Sequence, residues 1–502
     1  MNDSVIYSAR AYHEATKHRR GFVAPARRVD AALIPKQYKR YVDLPSLRLP
    51  SPGSSERTGL DSATLSTLLH YTAGIIRRRE VGGRTIEFRA ASCTGALYHV
   101  EIYVVCGDTG DIPAGVYHYD VPSETLRPLR AGDHRPHLAA ACATDIIATA
   151  PATLVFTSTF WRNTWRYEER AYRHVFWDTG TVLANLLALT ASRDLDTQVL
   201  TGFVDNDLAT LLGLDPMREV PVCAVSIDTT TTSWTSPDNP QRVGAHSHAP
   251  TAAPDVRDPL APIASPSEPL SRAEIEYPLI WRTHEAANLR DPNAVTTWRA
   301  RATRQHPLSS QARPEHGRRG EGAGGEVTPI ESIITRRLSA RRFKPEPISR
   351  PQLDALIDAA ASPILLDAGV TDLVRTHLLA HAVEGLEPGA FHVEHPGTLT
   401  ALRHANLRSN ATALALDQPA AGDAAVNFYF TASVSDIETR LGDRGYRVAQ
   451  IIAGIRSGRL YLAATALGVR ATGLTFYDDE VATALNLDPQ DTAVLMLMAA
   501  GR

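Results

Sequence analysis

The feature that most constrains the fold of this chain is a long-period internal repeat. The segment RAYRHVFWDTGTVLANLLALTA in the first half aligns with RGYRVAQIIAGIRSGRLYLAATA in the second. Tyr172 and Tyr446 lie 274 positions apart (446 − 172), and Gly180 and Gly454 keep the same separation. Self-similarity over such a distance indicates that a whole folding unit has been duplicated. The sequence therefore predicts two copies of one fold in tandem.

Each copy has the pattern of an α+β domain. Short runs rich in β-branched and aromatic residues alternate with longer apolar stretches of helical character. The stretches 179–191 and 448–467 are apolar around most of their circumference, which is typical of helices buried on all sides. We expect these two helices to pack against each other as a dimer-like core. The predicted fold is two tandem α+β domains that form a pseudo-dimer within one chain.

Composition divides the chain into segments. A stretch rich in Pro, Thr and Ser begins after about residue 228 and cannot bury enough apolar surface to fold alone. Within it, the segment near 272–289 keeps a helical apolar pattern and should pack on a neighbour, whereas 305–326 is rich in Gly and charge and is predicted to be disordered. The predicted organisation is an N-terminal extension, a first domain, a linker and a second domain, with the boundaries 1–50, 51–228, 229–327 and 328–502.

Charge and cysteine content exclude several classes of protein. With 52 basic against 55 acidic side chains, the 502-residue chain has no net field that would attract nucleic acid or an acidic membrane. The four cysteines form no CxxC pair, the histidines show no metal-ligand spacing, and no apolar run is long enough to cross a bilayer. We therefore predict a cytoplasmic protein with reduced thiols and without a metal site, a nucleic-acid partner or a membrane association.

A basic cluster opens the second copy, directly before a predicted amphipathic helix. Arg337, Ser339 and Arg341 lie within its sequence, ITRRLSARRF. Arginine forks pair bidentately with phosphate oxygens, and a serine hydroxyl adds a further donor. The cluster therefore indicates a phosphate site, although charge alone leaves open a solvated basic linker end.

Together with Phe343, this cluster resembles the flavin-phosphate motif R-x-S-x-R-x-F of the nitroreductase family. In the first copy, FRAASCTGALYHVEIYVV resembles a segment of the azoline-dehydrogenase branch, the flavoenzymes that accompany cyclodehydratases; Ala91 and His99 stand where that branch usually has prolines. The segments AYHEATKHRR, PAGVYHYD and TWRYEERAYRHVFWDTG are also similar to that branch. The resemblance covers roughly residues 50–228 and 328–502 and implies FMN bound between two copies of the fold.

The resemblance also implies two groups of residues that contact the flavin ring. A loop with small residues can bring N–H and hydroxyl donors close to the ring edge and stabilise the charge that develops on reduction. From the residues alone, an ordinary turn before strand 100–105 and a loop that ends a buried strand remain the alternatives. The implied residues are Arg89, Ser92, Cys93 and Gly95 in the first copy, and Gly473 and Leu474 in the second.

The catalytic candidates are Arg166 and Tyr167. In the azoline-dehydrogenase branch a Lys-Tyr pair at this position is implicated in removing the ring proton, and this chain has Arg-Tyr instead. Because arginine stays protonated, the base would be Tyr167 or a water bound to it. Arg166 would then lower the pKa of Tyr167 or hold the substrate. The alternative is a charged helix face with i,i+4 pairs.

The two copies retain complementary parts of the resembled site. The arginine motif occurs only in the second copy. The corresponding segment of the first copy, PSPGSSERTGL, contains a single arginine, Arg57. The Ser-Gly loop occurs only in the first copy. A homodimer of the resembled family has two equivalent sites, and each draws on both subunits. The chain therefore predicts one composite flavin site.

These expectations lead to an FMN-dependent azoline dehydrogenase that converts thiazolines or oxazolines in a ribosomally made precursor peptide to thiazoles or oxazoles. Molecular oxygen is the expected electron acceptor, and a cyclodehydratase is the expected partner. Two alternatives stay open at this point. One is an NAD(P)H-dependent nitro or quinone reductase of the same fold, and the other is a non-catalytic protein that binds a leader peptide or scaffolds a cyclodehydratase.

Overall fold

The computed structural model describes residues 7–21, 30–53, 60–228, 260–263, 265–305, 328–394 and 397–502. Arg57 and residues 306–326 of the stretch predicted to be disordered lie outside them. The helices are α1 (Ala9–Ala15), α2 (Ser62–Ala73), α3 (Arg135–Ala141), α4 (Ile146–Thr149), α5 (Phe160–Tyr167), α6 (Ala171–Ala191), α7 (Asp205–Leu212), α8 (Pro278–Ala286), α9 (Pro292–Gln305), α10 (Ile330–Arg336), α11 (Arg350–Ala361), α12 (Arg408–Leu414), α13 (Pro419–Asp423), α14 (Val434–Leu441), α15 (Arg444–Ala466) and α16 (Asp478–Ala484). The strands are β1 (Leu47–Arg48), β2 (Ile75–Val81), β3 (Arg84–Arg89), β4 (Val100–Cys106), β5 (Gly115–Asp120), β6 (Thr125–Ala131), β7 (Ala152–Thr159), β8 (Asp196–Leu200), β9 (Glu219–Asp228), β10 (Arg375–Ala380), β11 (Gly389–Glu394), β12 (Thr398–His404), β13 (Val426–Ser433), β14 (Arg470–Leu474) and β15 (Thr492–Gly501).

The two copies build antiparallel sheets of matching strand order. The first sheet has the order β1-β6-β5-β4-β7-β9-β8, and the second has the order β12-β11-β10-β13-β15-β14. Cys106 pairs with Ala152 in the first sheet and Ala380 pairs with Val426 in the second, so the ladders repeat with the sequence offset of 274. The prediction of two tandem α+β domains is confirmed.

The central helices α6 and α15 pack against each other, and the predicted pseudo-dimer core is confirmed. Both helices are longer than the apolar stretches that predicted them, because each begins with a polar turn that is buried at the junction of the copies. No helix among the described residues is long and apolar enough to cross a membrane.

Two buried ion clusters join the copies across the core. In each, an arginine pair at the start of one copy's central helix binds an aspartate that opens a short helix of the other copy. Paired guanidinium groups offset the cost of burying these carboxylates. The contacts are Arg170 to Asp478 at 3.2 Å, Arg173 to Asp478 at 2.6 Å, Arg444 to Asp205 at 2.7 Å and Arg447 to Asp205 at 2.9 Å.

The duplication extends beyond the segments that the sequence aligned, because α1 and α8 are also related. Both helices carry the sequence His-Glu-Ala. His13 Nδ1 lies 3.1 Å from the hydroxyl of Tyr446, and His284 Nδ1 lies 3.2 Å from that of Tyr172. The N-terminal extension and the packed segment near 272–289 thus contribute two copies of one element, each docked on the central helices.

Candidate functional site

A cavity of about 660 Å³ lies at the junction of the two copies. Its walls come from the end of α1 and the residues after it, the loop 92–95, the end of α5 with the residues that follow, and β14. Residues that the sequence predicted from opposite copies meet in this cavity. Those that line it are Ser92, Cys93, Gly95, Arg166, Tyr167, Ser339, Gly473 and Leu474. Arg89, Arg337 and Arg341 are not part of the lining.

Tyr167 lies directly against the loop of the first copy. Gly95 has a φ of +64°, and a Cβ placed on it would lie 2.6 Å from the hydroxyl oxygen of Tyr167. Glycine is therefore favoured there by its backbone angle and by the close approach of the Tyr167 hydroxyl. The ring of His174 packs edge-on against Tyr167 at a centroid distance of 4.8 Å, and the Arg166 guanidinium lies 5.6 Å from the Tyr167 ring centroid.

The electrostatic environment of Tyr167 differs from the sequence expectation. Burial raises the pKa of the phenol, and Arg166 lowers it by a smaller amount, so the pKa lies above its ordinary value. The phenol is therefore protonated at neutral pH and can donate a hydrogen bond. The sequence had suggested that this group accepts a proton.

Asp178 of α6 holds the loop in place. It accepts hydrogen bonds from the Thr94 N–H and hydroxyl, each at 3.0 Å, from the Cys93 thiol at 3.2 Å and from His99 Nε2 at 2.9 Å. Burial would raise the pKa of Asp178, but the bonds from His99 and Thr94 outweigh it and lower that pKa. Burial, with Asp178 adding to it, raises the pKa of the Cys93 thiol. The loop is thus anchored by an ionised carboxylate beneath it.

The ligand-type atoms of Cys93, His99 and Asp178 lie within 4.8 Å of one another, a grouping that the sequence did not indicate. The hydrogen bonds to Asp178 account for this grouping. Because metals bind the thiolate form of cysteine, a thiol whose pKa is raised is a poor ligand. We assign no metal to these residues.

The wall from the second copy is organised around Tyr461. Its hydroxyl lies 3.2 Å from Ser339 Oγ and accepts a hydrogen bond from the Gly473 N–H at 2.9 Å. The Arg337 guanidinium lies 5.4 Å from the Tyr461 ring centroid. Tyr461 therefore connects the basic cluster to β14.

Arg337 is a buried cation with unused donors. Its guanidinium packs on the ring of Tyr461 outside the cavity lining. Its Nε donates a hydrogen bond to the carbonyl of Ala90 in the first copy at 3.2 Å. No described residue accepts a hydrogen bond from its Nη atoms, and burial lowers its pKa. A buried guanidinium in this state is a suitable partner for an anion such as phosphate. Arg341, in contrast, is exposed on the surface.

Arg89 supports the loop from behind. Its guanidinium lies 5.1 Å from the ring centroid of Tyr38 and 5.3 Å from that of Tyr98, and Nη1 donates to the Val100 carbonyl at 3.4 Å. Among the described residues its Nε and Nη2 have no hydrogen-bond partner, and burial lowers its pKa. The expected direct approach of Arg89 to a ring in the cavity is thus not what the structure shows.

The symmetry-related position in the other half is filled by protein. The ring of Trp298 in α9 covers Gly202, and its Nε1 donates to the carbonyl of Leu441 at 2.9 Å. Arg299 forms an ion pair with Asp367 at 2.9 Å and donates to the carbonyl of Gly202 at 2.8 Å. Because α9 occupies this position, the arrangement is consistent with one site of this kind for the chain.

A comparison of the copies identifies three polar residues that the motifs missed, in addition to the predicted Tyr167. These polar groups lie in the cavity wall or, for His99, directly behind it on Asp178, and they correspond, at the offset of 274, to apolar residues of the second copy. Buried polar side chains are costly unless they are hydrogen-bonded, and their retention in one copy alone indicates which half is functional. The pairs are Tyr167 with Leu441, His174 with Val448, Asp178 with Ile452, and His99 with Leu373.

Two α+β domains around one interfacial cavity, with donors from both domains in its walls, define the class of nitroreductase-fold oxidoreductases. The profile of the nitroreductase family matches residues 58–227 and 334–502. The chain belongs to the nitroreductase family, whose members bind FMN.

Individual relatives support this assignment of the fold. A crystal structure of an Anabaena variabilis protein named as a nitroreductase superposes with a TM-score of 0.75 and 24% identity, over 98% of this chain and 99% of that chain. A Methanocaldococcus jannaschii protein, also named as a nitroreductase, is 29% identical over 138 residues, which are 27% of this chain and 70% of the relative. A chain of the Escherichia coli microcin synthetase McbBCD complex, with truncated pro-MccB17 bound, aligns over 37% of this chain and 71% of that chain at 22% identity; its TM-score of 0.29 is too low to support any argument about fold or function.

Proposed function

We propose that this chain is an FMN-dependent azoline dehydrogenase that oxidises thiazoline or oxazoline rings in a ribosomally synthesised peptide to thiazoles or oxazoles. The contact between Tyr167 and Gly95 inside the shared cavity carries the proposal. It brings the Arg-Tyr pair, which resembles the Lys-Tyr pair of azoline dehydrogenases, against the loop that resembles their flavin loop. The second copy has Leu441 at the position of Tyr167, so the phenol is retained only beside the cavity.

The residues in and beside the cavity fit FMN. The buried side chain of Arg337 lies next to Tyr461 of the cavity wall, and no described residue accepts a hydrogen bond from its Nη atoms. Ser339 adds a hydroxyl from the lining, so these two would hold the phosphate, with the exposed Arg341 adding positive charge. The loop of Ser92, Cys93 and Gly95, which Arg89 supports from behind, and the strand end of Gly473 and Leu474 would face the ring from opposite copies. Bound FMN would supply a two-electron acceptor for hydride.

The protein groups near the substrate have distinct roles in this proposal. The protonated phenol of Tyr167 would donate a hydrogen bond to the azoline ring and so favour loss of a ring proton. Arg166 is exposed at the cavity wall and would hold a carbonyl of the peptide backbone. Molecular oxygen would take the electrons in turn, and a cyclodehydratase in the same cytoplasm would supply the azoline peptide.

The test is to incubate the purified protein with a synthetic thiazoline peptide in air and to follow the peptide by mass spectrometry. We expect a loss of two hydrogens per ring, without added NAD(P)H. A flavin-containing protein that consumes NAD(P)H with a quinone but leaves the thiazoline intact would support a reductase instead. A protein that contains no flavin but binds the peptide or a cyclodehydratase would support a scaffold.

A further inference from the structure

Glu168 has a backbone conformation that side chains rarely adopt. Its φ is 49° and its ψ is −137°, and its counterpart in the second copy is Gly442, with φ of 62° and ψ of −160°. This region of backbone space is populated almost entirely by glycine. The chain turn between α5 and α6 therefore suits glycine, and the first copy keeps a carboxylate side chain there at the cost of strain.

The strained residue lies at the cavity. Glu168 is half-buried and lines the wall next to Tyr167. No described residue forms an ion pair or a side-chain hydrogen bond with its carboxylate. Backbone strain that persists beside a binding cavity is often connected with function.

Other groups in the wall are less suited to accept a proton. Arg166 stays protonated, and the phenol of Tyr167 is protonated as well. Asp178 already accepts hydrogen bonds from the loop and from His99. Burial lowers the pKa of His174 to about 3 and that of His18 to about 4, so that both are weaker bases than an ordinary imidazole. Glu169 also lines the cavity, but its counterpart Asp443 is acidic as well, so an acid there is not specific to the functional half.

We propose that Glu168 is the catalytic proton acceptor, an inference that rests on the proposed azoline oxidation. The ring C–H next to the exocyclic carbonyl loses its proton to the Glu168 carboxylate, and the electron pair of that bond forms the new carbon–carbon double bond of the ring. The neighbouring ring carbon would release its hydride to bound FMN, which would supply the two-electron acceptor, so that the two electrons lost by the azoline would be taken up there.

The experiment compares Glu168→Gln, Glu168→Ala and Glu168→Gly with wild type by three readouts: flavin content, melting temperature, and the rate of a single oxidation turnover under anaerobic conditions. All three variants should keep their flavin and lose oxidation by on the order of 10²-fold or more. Glu168→Gly should also melt at a higher temperature than Glu168→Ala, because only glycine removes the Cβ from the strained turn.

Asp194→Gly is the matched control, because Asp194 has a φ of 53° and its counterpart is Gly468 with a φ of 67°. This variant should keep the oxidation rate of wild type. Full activity of Glu168→Gln, or a loss found in Glu169→Gln and not in Glu168→Gln, would overturn the assignment and leave the azoline dehydrogenase standing. Absence of azoline oxidation by the wild type would overturn both.

Discussion

Gly180 and Gly454 lie in contact where the two central helices cross. A Cβ on Gly180 would lie 2.6 Å from the Cα of Gly454, and one on Gly454 would lie 2.9 Å from the Cα of Gly180. The two glycines occupy the same position in their respective copies. This contact sets the distance between α6 and α15. It therefore also sets the distance between the cavity walls that the two copies contribute.

Replacing Gly454 with alanine should destabilise the pseudo-dimer core. The added methyl group would meet backbone atoms of α6, which cannot move aside as a flexible side chain could. Overpacking of this kind costs about 1–3 kcal/mol. The free energy of unfolding in denaturant measures the effect. A Gly454→Ala variant as stable as wild type, or more stable, would contradict the packing account.

Acid should weaken the contact between Asp478 and its two arginines. Burial raises the pKa of Asp478, but Arg170 and Arg173 outweigh it and hold the pKa well below the ordinary value of about 3.9. Because the folded pKa is depressed, this stabilisation is present above about pH 4 and is lost as the pH falls through the folded pKa. Asp478→Asn should cost about 3–5 kcal/mol at neutral pH, because two buried cations lose their partner. Unfolding curves from pH 7 to 3 should show a smaller dependence on pH in the variant, and parallel curves would contradict the account.

Tyr167→Phe should keep the flavin and lose azoline oxidation by about 10²-fold, as for the loss of a group that assists proton transfer. The ring contact with His174 would remain, and only the hydroxyl that lies against Gly95 would be lost. Flavin absorbance and peptide mass spectrometry together measure both properties. Full activity in this variant would remove Tyr167 from the proposed mechanism.

Arg166→Lys should retain more activity than Arg166→Ala. Azoline dehydrogenases have lysine at this position, and a lysine would retain a positive charge where the Arg166 guanidinium now lies 5.6 Å from the Tyr167 ring centroid. Initial rates on one thiazoline peptide decide between them. A lysine variant that is slower than the alanine variant would show that the resemblance does not extend to this position.

The sequence predicted the fold and the composite site because the duplicated copies keep Tyr172 with Tyr446, and Gly180 with Gly454, at one offset. It did not reveal that α1 and α8 are also related, because little beyond His-Glu-Ala is shared and the offset there is 271 (284 − 13). So short a match is too small to separate a relation from chance.

The sequence also did not predict which residues of a motif are buried. The motif names Arg337 and Arg341 alike, yet one is buried beside Tyr461 and the other is exposed, because spacing alone does not determine depth. Asp178 could have been found from the sequence, since it interrupts an apolar helix at a position where the second copy has Ile452.

The amount of flavin bound per chain tests the central claim most directly. The cavity takes residues from both copies, and its counterpart is filled by Trp298 and Arg299. We therefore expect one FMN per chain, measured by absorbance after denaturation. Because charge-assisted contacts are each worth about 1.5–3 kcal/mol, Arg337→Ala combined with Arg341→Ala should weaken binding by about a hundredfold or more. Arg57→Ala should have little effect on flavin content. A wild-type ratio near two, or flavin that is lost with Arg57 but kept without Arg337 and Arg341, would contradict a single composite site.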